Sequence, residues 1–237
     1  MTAYDHFAKF YDAAMGDRTR AADRLRRLIR KVRPDAVSVL ELGCGTGSML
    51  KYLQDDYAVS GLDMSGAMLS IARGKVPKAR LFQQDMVDFA VPDHYDVICC
   101  VFDSLNHVRT FSGWKSVFAR VRRHLSPRGC FIFDINTQRK LERHIAEPPW
   151  VCPFKNNLLI MNVTKLPRGL SNWNVKVFEH LNGDRFVLHQ EDIVEASFPR
   201  QRIAAALSAC FKTVSVIDPD RKRPSAMSER LFWTAAT

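Results

Sequence analysis

The sequence predicts an α/β protein: a doubly wound, mainly parallel sheet of seven strands with an inserted antiparallel β cap. Three observations carry that expectation. Apolar strands and helices alternate from about residue 37 to residue 135. The first strand runs into glycines at every second position, Val39 to Gly47. After about residue 148 the texture changes, to prolines and then to alternating strands around Asn182-Gly183. A chain of 237 residues that is 46% hydrophobic suits one domain with a substantial insertion.

Residues 2–15 read as a short helix carrying Tyr4, Phe7, Phe10 and Tyr11, with apolar spacing of three to four. The next helix shows Leu25, Leu28, Ile29 and Val32 at helical spacing, and Pro34 ends it by disfavouring helical geometry in the residue before it. Strands follow near 37–42, 57–62, 79–84, 95–101 and 130–135, with helices between them. Pro148-Pro149 and Pro153 then interrupt the pattern, before antiparallel strands over 158–164, 174–181 and 185–196. The last two flank Asn182-Gly183, a pair suited to a type I′ hairpin turn. A helix over 199–209 and strands near 211–217 and 229–235 complete the sheet. The division is thus 1–147 with 198–237 as core and 148–197 as cap. Ligands of such sheets bind at the carboxyl ends of the strands, which an insertion after the fifth strand can cover.

The formal net charge is +10, and eight basic residues lie between Arg18 and Arg33. They occupy the faces of a helix whose remaining stripe is apolar, as a solvated surface requires. A second cluster, Arg221-Lys222-Arg223, sits between Pro219 and Pro224. Neither interleaves aromatics with cations as a single-strand stacking surface does, so a nucleic-acid partner is the weaker reading. The six cysteines form no CxxC or Cys/His pattern and read as buried, reduced thiols. With a polar N-terminus and no apolar run long enough to span a bilayer, a cytoplasmic protein without membrane attachment is expected.

Gly43, Gly45 and Gly47 lack a Cβ, so backbone and ligand can approach closely. A helix starting near Thr46 would aim free N–H groups at whatever sits there. The dinucleotide fingerprint needs its third glycine where this chain has Ser48. Three acids stand at three successive strand ends: Glu41, then Asp63 in Gly61-Leu62-Asp63-Met64-Ser65, then Asp85 in Gln83-Gln84-Asp85-Met86. Any one of them could cap a turn; the set, with the glycine turn after the first, points to a ligand site. Tyr95-Asp96-Val97-Ile98 opens the fourth strand, which leads to Phe102-Asp103-Ser104-Leu105-Asn106-His107, and Leu125-Ser126-Pro127-Arg128-Gly129 announces the fifth.

Over roughly residues 36–136 these motifs resemble the class I S-adenosylmethionine (SAM) dependent methyltransferases, a Rossmann-like fold. Within that class the chain is most similar to small-molecule enzymes such as amino-sugar N-methyltransferases, which share the opening Tyr4-Asp5 through Phe10-Tyr11-Asp12 and an antiparallel cap. The resemblance implies that Glu41, Gly43, Gly45, Gly47, Asp63, Met64, Asp85, Met86 and Phe102 contact SAM, with S-adenosylhomocysteine as product. In that arrangement the glycine turn receives the methionine tail, Asp63 the ribose hydroxyls, and Asp85 with Met86 the adenine. Tyr11 is expected to fold over the cofactor, with Arg20 as partner for its carboxylate.

His107, just past the fourth strand, is the candidate general base; a histidine opening a surface helix is the competing explanation. Trp150 and Trp173 are expected in the core of the cap. The Asn/Asp-Pro-Pro-aromatic run used on nucleobase amines is absent, and no cluster of metal ligands appears. The expected acceptor is therefore an N or O atom of a small polar metabolite. An RNA methyltransferase and a non-catalytic SAM-binding protein remain the alternatives.

Overall fold

The computed structural model describes residues 4–237, so the first residues of the expected 2–15 helix lie outside it. Helices α1 (Ala8–Met15) and α2 (Thr19–Val32) precede the alternating region: β1 (Ser38–Leu42), α3 (Ser48–Leu53), β2 (Ala58–Asp63), α4 (Gly66–Lys75), β3 (Arg80–Gln83) and β4 (Tyr95–Cys100). After a 3-10 turn at Ser104–His107 come α5 (Phe111–His124), β5 (Leu125–Asn136) and α6 (Gln138–Ala146). The cap strands are β6 (Trp150–Phe154), β7 (Asn157–Lys165), β8 (Leu170–His180) and β9 (Phe186–Ala196); α7 (Arg200–Ser208), β10 (Thr213–Ile217) and β11 (Arg230–Ala236) close the chain.

The large sheet has seven strands in the order β10-β11-β5-β4-β1-β2-β3. All neighbours from β3 to β5 run parallel, while β11 is antiparallel to both β5 and β10. This is the doubly wound sheet expected. The order reverses between β1 and β4, so β1 and β4 open the crevice at their carboxyl ends. β4 is buried along its whole length, and the core cluster around Leu40, Ile98, Phe131 and Trp233 packs against α5 and α7. A second cluster around Leu25, Ile29, Val97 and Ile132 fills the face under α2, as the apolar stripe of that helix requires.

The cap is a separate four-stranded antiparallel sheet, β6-β7-β8-β9. The fourth member, β6, was not among the expected strands because it contains Pro153. The structure places it at the sheet edge, where a missing N–H does not break the ladder. The hairpin at Asn182-Gly183 forms, but Leu181 N–H bonds the Arg185 carbonyl, which leaves a three-residue tip rather than a two-residue turn. Phe7 and Phe10 of the opening segment and Leu141 of α6 pack onto the cap with Leu159, Trp173 and Ile193. Cys44, Cys99, Cys100 and Cys130 are buried, whereas Cys152 and Cys210 are partly exposed; all six thiols are free. Among the described residues no helix is long and apolar enough to cross a membrane.

Candidate active site

The glycine turn is built by positive backbone angles. Gly43, Gly45 and Gly47 have φ of 69°, 53° and 73°, a region that costs a side-chain-bearing residue energy. A Cβ at Gly43 would lie 2.8 Å from the Ser104 Cβ, so no side chain fits there. Gly43 and Cys44 N–H groups both bond the Leu62 carbonyl, which joins the turn to the end of β2. The helix starts at Ser48, not near Thr46, because Gly47 in the left-handed region serves as its N-cap. Thr46 is instead buried, and its hydroxyl donates to Asp12 Oδ1 at 2.7 Å.

Asp12 is a contact the sequence did not single out. It accepts from Ser48 Oγ at 2.8 Å as well, and pairs with Lys75 of α4. Although burial opposes it, this set of donors holds the Asp12 carboxyl below its ordinary value. One carboxylate from α1 therefore clamps the turn from the outer side.

The three strand-end acids differ in state. Glu41 is buried, its Oε2 has no partner, and burial pushes its pKa well up, with the charge of Asp63 adding to the shift. Asp63 spans the turn: Oδ2 accepts from Gly45 N–H at 2.8 Å and Oδ1 from Ser65 N–H at 2.9 Å. Burial still raises it, against those bonds. Asp85 Oδ1 accepts from Val87 N–H at 2.9 Å. The Met86 methyl lies 3.5 Å from the position a Gly43 Cβ would take, whereas Met64 is half-exposed.

Past β4 the backbone is strained. Phe102 and Asp103 have φ of 58° and 55°, both in the left-handed region without being glycine. The turn is held by Asn106, fully buried, whose Nδ2 donates to the carbonyls of Asn136 (2.9 Å) and Ala196 (2.8 Å) while Oδ1 accepts from Asn136 N–H (3.0 Å). This clip joins β4, β5 and the end of β9. It presents the Phe102 ring, 4.4 Å below the Arg18 guanidinium.

Between core and cap lies a cavity of about 750 Å³. Tyr4 and Phe7, in the turn that stands where the expected helix would begin, and Tyr11 and Met15 on α1 form one wall. Phe102, Asp103 and Arg230 form the floor, and Trp150, Trp173 and Glu195 come from the cap. Trp150 is 44% exposed and so is not the cap-core residue expected; Trp173 is both buried in the cap cluster and part of the cavity wall. A smaller cavity of about 360 Å³ adjoins it, sharing Arg18, Phe102 and Arg230 and adding Arg20 and Arg24. Of the residues expected at the site, Tyr11 and Phe102 line the larger cavity and Arg20 and Phe102 the smaller. The glycine turn, Glu41, Asp63, Met64, Asp85 and Met86 lie at the ends of β1 to β3, outside both.

His107 does not line either cavity. It stands behind Tyr4, with Nε2 3.2 Å from the Tyr4 hydroxyl, and its ring also meets the Val194 carbonyl. Burial lowers the His107 pKa, against the nearby Asp103 charge, so its ring is neutral near pH 7. Burial raises the Tyr4 hydroxyl well above its ordinary value and Tyr11 to about 12. Both phenols stay protonated. The position is thus neither a surface helix start nor a base facing the cavity directly.

Arg230 lies in a charged cluster that no sequence motif announces. Arg230 pairs with Asp103 at 2.5 Å and with Asp134, and Lys140 Nζ donates to Asn136 Oδ1 at 2.9 Å. Burial holds Asp134 at about 6 and Glu195 at about 8. Such perturbed groups in a cleft mark a functional site. The one local signal was in β9, where Glu195 falls in the same strand register as the buried Ile193.

Comparison with known proteins agrees with this geometry. Residues 39–129 match a family described as a methyltransferase domain. YqeM of Bacillus subtilis (strain 168), which carries a provisional methyltransferase name, is 29% identical over 98% of this chain and 96% of its own length. The dTDP-4-amino-2,3,4,6-tetradeoxy-D-glucose N,N-dimethyltransferase of Saccharopolyspora spinosa is 35% identical over 55% of this chain. The chain covers about half of that relative, 54% of its length. A SAM-dependent methyltransferase structure from Clostridium acetobutylicum ATCC 824 superposes with a TM-score of 0.84 at 22% identity, covering 98% of both chains. Fold and matched domain together define a class I methyltransferase. The matched domain and the relatives mark a SAM-dependent methyltransferase, similar over about half of this chain to amino-sugar N-methyltransferases.

Proposed function

We propose that this enzyme transfers a methyl group to a nitrogen or oxygen of a small polar metabolite by in-line displacement, and that an amine is the better-matched acceptor. The observation that carries this reading is the 750 Å³ cavity between core and cap, within the range of small-ligand sites and walled by aromatic rings and carboxyls. A non-catalytic SAM-binding protein has no use for such a space. An RNA acceptor finds no support in a cavity roofed by the cap sheet. The four buried free thiols fit a reducing compartment, and we place the enzyme in the cytoplasm.

The strand ends fit SAM on two features of the chain itself: the glycine cradle that a Cβ would fill, and the unpartnered Glu41 Oε2 buried beside it. When bound, SAM supplies a methyl carbon already activated for displacement. Gly43, Gly45 and Gly47 would receive the tail, Asp63 the ribose, and Asp85 with Met86 the adenine. Tyr11 and Phe102 would border the reacting end, and Arg20 would pair with the tail carboxylate. The protein's share of the work is to align the acceptor and exclude water, which can supply about 7–11 kcal/mol. Tyr4 orients the acceptor through its hydroxyl, and the neutral His107 behind it accepts that hydroxyl's proton as a hydrogen bond. His107 therefore acts through Tyr4 as a positioning residue.

Calorimetric titration with SAM, with NAD as control, tests the cofactor; release of S-adenosylhomocysteine with matched amines and alcohols tests the acceptor. Binding of SAM alone, with turnover on amines, is expected. A folded protein that binds SAM but turns over no amine or alcohol would sink the reading.

A further inference from the structure

Glu195 is a carboxyl at the cavity wall without a cation of its own. It is 4% exposed, and its Oε2 accepts one hydrogen bond, from Asn136 Nδ2 at 3.1 Å. The groups facing it come from every surrounding element: Tyr4 from the opening segment, Asp103 after β4, Lys140 on α6, and Arg230 on β11. The cations are engaged elsewhere. Arg230 is divided between Asp103 and Asp134, and the Lys140 ammonium is given to Asn136 Oδ1. Three carboxyls against two cations leave one negative charge uncompensated whenever all are ionised. Glu195 meets this by keeping its proton, raised to about 8 by burial first and by Asp103 second. An arriving cation changes that balance. Tyr4, Tyr11, Phe102 and Trp173 line the same space, and their ring faces suit a cation as well.

We infer that Glu195 is the residue by which this enzyme selects a cationic acceptor, its carboxylate pairing with the acceptor's ammonium beside the Tyr4 hydroxyl. This rests on the amine reading above and adds the side chain that enforces it. On binding, the Glu195 carboxyl releases its proton to solvent and the resulting carboxylate holds the ammonium; before transfer that carboxylate takes one ammonium proton, which leaves Glu195 neutral and frees the nitrogen lone pair for the methyl group. A neutral hydroxyl acceptor triggers no such release.

The test uses cyclohexylamine and cyclohexanol, a ring-sized cation and its neutral counterpart, titrated calorimetrically into protein loaded with S-adenosylhomocysteine. At pH 7.5 in two buffers of different ionisation enthalpy, the amine is expected to bind roughly tenfold more tightly than the alcohol, as a charge-assisted bond provides. Its binding should release most of one proton. Glu195→Gln keeps an oxygen for Asn136 and should abolish both the preference and the proton release, with SAM affinity and melting temperature showing that it folds. No preference in the wild-type protein, absence of binding by both probes, or a preference that survives Glu195→Gln overturns the inference. Methyl transfer to amines by a Glu195→Gln variant that still prefers the cation would defeat Glu195 alone. Cation selection without transfer to any amine would instead defeat the acceptor reading.

Discussion

At the scale of residues, the pair Tyr4 and His107 turns a sequence expectation into a sharper one. His107 stood out as a candidate base because it follows β4. The structure sets it one side chain back from the cavity, with Tyr4 between. Two residues that act through one hydrogen bond should not lose function additively. Tyr4→Phe and His107→Ala are each expected to lower kcat by roughly tenfold to a hundredfold. The double variant should be no worse than the weaker single one, and SAM affinity should stay unchanged. Steady-state rates of the four proteins complete the cycle; additive losses would mean that His107 serves the reaction by a separate route.

At the scale of elements, much of the fold was readable because its signals are local. Each core strand is a short apolar run, and the glycine turn declares itself within nine residues. The ends of β1 to β3 were therefore placed from sequence alone. Contacts made at a distance were not readable. Asp12 sits 34 residues before Thr46, and Asn106 reaches residues 30 and 90 positions away. Nothing in the neighbourhood of either announces its partner, and β6 was hidden by a proline that only an edge strand tolerates. Asn106 gives this a measurable form. Asn106→Ala would take their side-chain partner from the buried Asn136 N–H and the Ala196 carbonyl, while the Asn136 carbonyl keeps the Ser197 hydroxyl, at a cost of about 3 kcal/mol. Denaturant unfolding should show that loss with an unchanged slope. A change under 1 kcal/mol would mean that the clip between β4, β5 and β9 is dispensable.

At the scale of the whole molecule, the buried acids and the surface cations respond to pH in opposite senses. The chain carries a formal net charge of +10, so self-repulsion relaxes as pH rises. Glu195 and Asp134 do the reverse. Their folded values of about 8 and about 6 lie above the ordinary 4.5 and 3.8, so the folded state binds more protons than the unfolded chain between those limits. The stability they contribute is complete below the unfolded values and is lost as pH rises through the folded ones. For Glu195 that window closes near pH 8. A melting curve of the wild-type protein mixes both trends, and only a difference separates them. Glu195→Gln changes a single buried group and leaves the surface cations in place. Its melting temperature relative to wild type should therefore climb between pH 6 and pH 9, by a few degrees, since 1 kcal/mol moves a chain of this size by about 2–4 °C. A gap that stays constant across that range would mean that Glu195 is ionised throughout, with a cation beside it. Its proton would then be unavailable for exchange against an incoming ammonium.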